Sequence, residues 1–375
     1  MFRNVLRGLQ GQGRRTSSVS GRPSAGSSMP TARAGRARRG RALGVGAAAL
    51  ALALVAAACG GGSDDTSDDA SGAPAAKPIT LAFSAWPGWF PWQVAEEKGF
   101  FAKNGVTVNL KYFDSYTDSL NALATGNLSA NSQTLNDTLS SVSGGAKQTI
   151  VLVNDNSTGN DQIIAAPGIA DVAGLKGKKV AAEQGTVDHY LLLLALKKAG
   201  LSEKDITFTP LVTDQAAAAF AAGKVDAVGA FAPFTTTALA LPGSKAIATS
   251  ADFPGAIPDH LVFDQKFVAD HPTEVQAVVQ TWFDTVAWIG ANKAEAVGIM
   301  AKKGGVSDAD YKTYDAGTTI FTREANLEAF APGSDAKHLD YQANQIADFL
   351  LSTKLVDKKP PLDGLFEPKF VKAVK

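Results

Sequence analysis

From Ile79 the chain switches repeatedly between two hydrophobic periods. Ile79 to Phe83 and Val106 to Tyr112 alternate apolar and polar side chains as half-buried strands do, whereas Trp92 to Ala102 and Ser115 to Ala124 space their apolar residues at helical intervals. The order is βαβα. A second unit repeats it, with Lys179 to Ala182, Ile206 to Leu211 and Val225 to Phe231 as strands, and Tyr190 to Ala199 and Ala216 to Ala222 as helices. Parallel strands joined by helical crossovers account for both units most simply. Beyond Pro272 the pattern is almost wholly helical, over Glu274 to Ile289, Ala294 to Lys302, Asp308 to Tyr314 and Leu339 to Leu351. Such helices need a sheet to cover.

The stretch from Pro78 to Lys375 is longer than one hydrophobic core readily supports, so two lobes are expected. Pro167-Gly168 and the turn-rich Pro254 to Pro258 bracket the second unit. Beside them lie strand-like segments, Asp161 to Ala166 and Asp259 to Phe263, which would cross between the lobes as a hinge. The reading places lobe one at residues 78–163, lobe two at 164–262, and the helical return of lobe one at 263–375.

Charge changes the picture at the N-terminus. The first forty-one residues hold ten arginines and no acid, and the apolar run Ala42 to Ala58 follows. That is the layout of a cleaved signal, expected over residues 1–58 from either Met1 or Met29. The run ends Ala56-Ala57-Ala58-Cys59-Gly60, which resembles the lipobox of bacterial lipoproteins with Ala56 in the usual leucine place. Cys59 is the only cysteine in the chain, so an internal disulfide is excluded and thioether lipidation is its expected role. Residues 59–77, rich in Gly, Ser and Asp, read as a disordered tether from that lipid. Past Cys59, twenty-six basic residues face thirty-six acidic ones, a net charge of −10. A surface of that sign repels phosphate backbones, and nucleic-acid binding is set aside.

Three segments, Trp86-Pro-Gly-Trp89, Ala95-Glu-Glu-Lys-Gly-Phe-Phe-Ala-Lys-Asn-Gly-Val106 and Leu120-Asn-Ala-Leu-Ala-Thr-Gly-Asn127, resemble in their order the nitrate/sulfonate/taurine-type substrate-binding proteins of ABC importers. Leu175 to Val180, Gly185, Leu194 to Leu201 and Ala221 to Ala227 look like the second lobe of the same family. The resemblance implies an α/β, two-lobed periplasmic-binding-protein-like fold of type II, each lobe a mostly parallel sheet flanked by helices. It implies capture of a small solute by cleft closure and delivery to permease and ATPase subunits. With the lipobox, it implies an exported monomer anchored to the outer face of the cell membrane. Phe231-Ala-Pro-Phe234 departs from the family, whose members often carry a more polar turn there.

In open α/β sheets ligands sit beyond the carboxyl ends of strands. That rule selects the loop Ser84 to Trp92, whose Pro and Gly residues fix a turn and whose Trp86 and Trp89 are expected to form a stacking wall, plugging of a lobe's core being the competing role for Trp86, Trp89 and Trp92 alike. It also selects Ser132-Gln133-Thr134 and Glu183-Gln184-Gly185-Thr186, which offer amide, hydroxyl and backbone N–H groups at helix starts, where capping is the competing role for Thr134 and Thr186. Phe231, Phe234 and Asp161 complete the expected ligand-binding set. Asp155 to Asp161 reads as a third polar loop. The only arginine after Cys59, Arg323, lies in the late helical region, so an arginine clamp on an anion is not expected. Aspartates near the cleft give a neutral or cationic ligand equal standing with an anion.

His189, His260, His271 and His338 are scattered without metal-ligand spacing, and no nucleophile elbow or phosphate loop is present. No cofactor, metal or catalytic residue is expected; His189 reads as a surface histidine near a helix cap. Two other roles stay open from sequence: a ligand-sensing receptor subunit, and an enzyme related to thiamine-pyrimidine synthesis, whose cysteine-rich motif is not recognisable here.

Overall fold

A computed structural model describes residues 78–375; the expected signal, the Cys59 lipidation site and the tether lie outside the described residues. Eleven strands form two sheets. Those of the first unit are β1 (Ile79–Phe83), β2 (Val108–Tyr112), β3 (Ala130–Thr134) and β4 (Gln148–Ser157), followed by β5 (Asp161–Ala165), β6 (Lys179–Ala182), β7 (Thr207–Pro210), β8 (Ala227–Phe231) and β9 (Lys245–Thr249), then β10 (Pro258–Asp264) and β11 (Thr318–Ile320). The first sheet has the order β11-β4-β10-β3-β1-β2 and the second β7-β6-β8-β5-β9.

The expectation of mostly parallel sheets holds for only part of each. β1 runs parallel to β2 and β3, and β6 runs parallel to β7 and β8, but β10, β4 and β11 in one sheet and β5 and β9 in the other pair antiparallel. The reason is topological, since a strand that arrives from the other sheet enters without a crossover helix and runs against its neighbour. The crossings themselves are short. The chain leaves the first sheet after Ser157, enters the second at Asp161, and returns between Thr249 and Pro258. Both strands read as crossing hinges therefore lie wholly within one sheet, and the sheets divide a few residues earlier than the expected boundaries.

Local chemistry explains most elements. Ser115 caps the helix Tyr116–Ala124 by accepting from the Asp118 N–H, and Thr134 caps Leu135–Ser143 through the Asp137 N–H. The expected helix from Trp92 is broken into Pro91–Glu97 and Phe100–Lys103 because Gly99, at φ 69°, turns the chain between them. β4 is the main element absent from the sequence reading. All ten of its residues are buried, yet Asn154 to Ser157 are polar, so its end reads as a loop. Among the described residues no helix is long and apolar enough to cross a membrane.

Trp92 anchors the first lobe. Its ring is fully buried against Trp282, with centroids 4.7 Å apart, and against Phe101 at 6.1 Å, while its indole N–H donates to Ser132 Oγ at 2.9 Å. Removing a buried indole together with a satisfied hydrogen bond leaves a cavity that a close-packed interior fills only partly. Trp92→Ala is expected to lower unfolding free energy by about 3–5 kcal/mol in urea denaturation of the mature chain. A loss under about 1 kcal/mol would show that the ring is not a core anchor.

Candidate functional site

The carboxyl ends of β1, β2, β3, β6 and β8 converge on one small cavity between the two sheets. It is lined by Trp86, Trp89, Tyr116, Thr134, Ile257 and Asp259 from the first sheet and its connections, and by Asp161, Val187 and Phe231 from the second. Its volume is about 10 Å³, room for about one water. Rings form most of the wall. Trp86 meets Trp89 at 6.4 Å and Phe231 at 6.3 Å, and Tyr116 meets Trp89 at 5.4 Å and Phe231 at 6.3 Å. Phe231 is thus one point at which one lobe's aromatic residues touch the other's, Tyr190 against Phe349 at 5.4 Å being another.

Of the residues expected at the site, Trp86, Trp89, Thr134, Asp161 and Phe231 line this cavity. Phe234 stands behind, with its ring 5.5 Å from Phe231. Gln133 turns the other way along β3 and is consumed by Thr138 Oγ1 at 2.9 Å and Gln148 Oε1 at 3.1 Å, so it belongs to the interior of its lobe. Gln184 is exposed and faces an outer groove with Gly185, His189 and Lys354. Thr186 is buried at the helix start, but its hydroxyl donates to Glu183 O at 2.9 Å. His189 is not on the surface: its ring is buried, stacks on Phe208 at 4.4 Å and bonds Glu203 at 2.6 Å. The loop read from Asp155 is the end of β4, and Asp155 is buried in it.

Sequence reasoning missed Tyr116, Val187, Ile257 and Asp259. The strand-end rule reaches Tyr116 and Val187, which begin the helices after β2 and β6. Asp259 carries no such signal, because it enters from the returning strand. There it pairs with Thr134 on one side and Asp155 on the other.

Carboxyl groups dominate the electrostatics. Burial, with too few hydrogen bonds to offset it, raises Asp137 to about 7, Asp161 to about 7 and Asp155 to about 8. Asp188 and Asp259 are pushed well above the usual carboxylate range by burial and then by neighbouring acids, Asp155 foremost for Asp259. Asp155 accepts from Trp86 Nε1 at 2.9 Å, yet its Oδ2 has no partner. That placement requires Gly88, since a Cβ there would lie 2.0 Å from Asp155 Oδ2. Asp161 Oδ2, Asp188 Oδ1 and both oxygens of Asp259 are likewise unpartnered. Trp89 Nε1 points toward Asp259 but lacks the geometry of a hydrogen bond.

Two of the acids also join the lobes or share a proton. Glu183, just past β6, accepts from the backbone N–H of Thr117 at 3.2 Å and its hydroxyl at 2.5 Å, both on the first lobe. Its second oxygen accepts from Thr213 N and Oγ1 in its own lobe, at 3.2 and 2.8 Å. Thr213 Oγ1 also lies 2.6 Å from Asp188 Oδ2. The Thr213 hydroxyl is thus the donor shared between Glu183 and Asp188. Among the described residues no group of acids, His or Cys has the arrangement of a metal site.

Because these carboxyls bind protons more tightly folded than unfolded, the folded protein gains stability as pH falls. The window runs from about 8, where Asp155 begins to protonate, down to the unfolded value of about 3.9. The ligand-free mature protein is expected to melt at a higher temperature at pH 5.5 than at pH 8.5 in scanning calorimetry. A melting temperature that falls on acidification across that range would show these acids to be ionised in the fold.

Comparison with known proteins agrees with this architecture. A Brucella abortus protein named only as a binding protein is 28% identical over 260 residues, 68% of this chain and 80% of its own length. A Bacillus subtilis protein named for the binding of aliphatic sulfonates is 28% identical over 298 residues, 75% of this chain and 84% of its own. Among solved structures, the alkanesulfonate-binding protein SsuA from Xanthomonas axonopodis pv. citri bound to MOPS superposes with a TM-score of 0.67 at 20% identity, covering 78% of this chain and 98% of that one. The two-sheet, two-lobed fold is the one they share. Residues 72–302 match the NMT1-like family, and the chain belongs to that family.

Proposed function

We propose that this protein is the exported, lipid-anchored capture subunit of an ABC importer, which takes a small solute between its lobes and presents the closed form to a permease and its ATPase. The observation that carries the reading is the cavity itself: strand ends of both sheets supply its wall, and Phe231 of one lobe packs on Trp86 and Tyr116 of the other. A site divided in this way exists only when the lobes are together, so ligand contacts on both sides shift the open and closed populations by their differential affinity. Glu183 and Thr117 add a polar clasp at the same seam. The lobes on this reading are residues 78–157 with 258–375, and residues 161–249. Relatives named as binding proteins for sulfonates and taurine support the transport role. The basic N-terminus, apolar run and Cys59 support export and lipid anchoring.

Trp89 belongs to the cavity wall rather than to a lobe's interior, so its loss should act on binding. A thermal-shift screen of residues 60–375 against sulfonates, nitrate, bicarbonate, pyrimidines and guanidino compounds identifies a stabilising solute. For that solute, Trp89→Ala is expected to raise Kd at least about tenfold while moving the melting temperature of the ligand-free protein by under about 3 °C. A large drop in melting temperature with unchanged Kd would place Trp89 in the core. For the anchor, the wild-type protein is expected in the detergent phase of a cloud-point partition and Cys59→Ala in the aqueous phase. Equal partition of the two would remove lipidation from the account.

A further inference from the structure

The cavity has acceptors to spare and almost no free donors. Asp161 Oδ2 and both oxygens of Asp259 are buried there without partners, whereas Trp89 Nε1 is the one unpartnered side-chain donor among the described lining residues. Further carboxyls stand near the lining acids without lining the cavity themselves: Asp137 on the helix after β3, Asp155 on β4, Glu183 after β6 and Asp188 on the next helix. No Lys, Arg or His stands among the described residues that line it. A buried carboxylate without a counter-charge is costly, and a site that gathers several is incomplete until a positive group arrives.

The rings select the shape of that group. Trp86, Trp89, Tyr116 and Phe231 present π faces and edges to the same small space, and such faces attract flat cations. Resting on the reading of this cleft as the capture site, we propose that its ligand is a small planar nitrogenous cation, a guanidinium or amidinium, lying against the indoles with its N–H groups on Asp161 and Asp259. A quaternary ammonium would leave those oxygens unfilled, because it has no N–H to give. Once Asp161 and Asp259 are ionised, a sulfonate would meet carboxylates that repel it and a space whose lining side chains offer one other free donor. The site thus departs in charge from what the sulfonate-named relatives take.

Proton linkage separates these ligands. Burial holds Asp161 at about 7, so below that pH an arriving cation must displace protons, and its affinity must rise with pH. An anion shows the reverse slope. Tyr116, the remaining titratable lining group, is raised well above its ordinary value and stays neutral throughout.

Isothermal titration of the mature protein with agmatine, benzamidine, choline, taurine, methanesulfonate and a neutral aminopyrimidine, at pH 6 and pH 8.5, tests the proposal. Agmatine or benzamidine should bind at least about tenfold more tightly at pH 8.5, with proton release at pH 6 detected as a difference in heat between phosphate and Bis-Tris buffers. Asp259→Asn and Asp161→Asn should each weaken that binding at least about tenfold, and the second variant keeps the test open if the first fails to fold. Sulfonate binding that strengthens on acidification, or aminopyrimidine binding without proton release, would overturn the charge assignment while leaving the capture role intact. Choline binding as tightly as benzamidine would overturn the N–H contacts. Failure of every solute to bind would count against both the cation and the capture reading of the cleft.

Discussion

Carboxyl groups removed from water without a basic partner must either keep a proton or meet a positive charge. Most of what is distinctive in this molecule follows from placing several of them where two lobes meet. Asp155 and Asp259 sit directly across from one another in neighbouring antiparallel strands, an arrangement that ionised side chains would disfavour. The fold tolerates it because the strands concerned, β4 and β10, lie side by side within the six-stranded sheet and are secured by apolar residues along their length. The scaffold is rigid on both sides of the cleft, and the acids are fixed to it rather than to loops that could turn them out to solvent.

The same topology explains why the cleft is built as it is. Each βαβ half delivers its strand ends and helix starts toward the other, and the two crossings between the sheets keep those ends opposed. Aromatic residues then do two jobs with one set of rings. They remove water, which sharpens every charge nearby, and they present the π faces on which the proposed flat cation would rest. The two-lobed fold is shared with solved binding proteins. The residues at the strand ends set what enters it.

Much of this was legible in the chain. The βαβ units were visible because their strands alternate or run apolar and their helices begin at Ser115 and beside Pro91, signals that local sterics and capping enforce. Trp86, Trp89, Thr134 and Phe231 could be picked out by asking which residues end or follow a parallel strand. The rest was hidden for specific reasons. β4 ends in four polar residues whose burial depends on partners distant in sequence, such as Ser250 Oγ at 2.7 Å from Ser157 Oγ. Gln133 looked like a cleft amide because the side of the strand on which it would fall depends on register, and register is a property of the sheet. Asp259 was invisible since its role arises only when the returning strand inserts between β3 and β4. His189 looked exposed because neither Phe208 nor Glu203 is near it in the chain.

Gly88 gives this arrangement a marker that can be read in other sequences. Its missing side chain is what allows the Asp155 carboxyl to lie under the tryptophan loop. Any lineage that acquires even a methyl group at this position must withdraw the acid or move the loop, and in either case the balance of charge in the chamber changes. The residue at this one position therefore decides whether the carboxyl can occupy the same place beneath the loop.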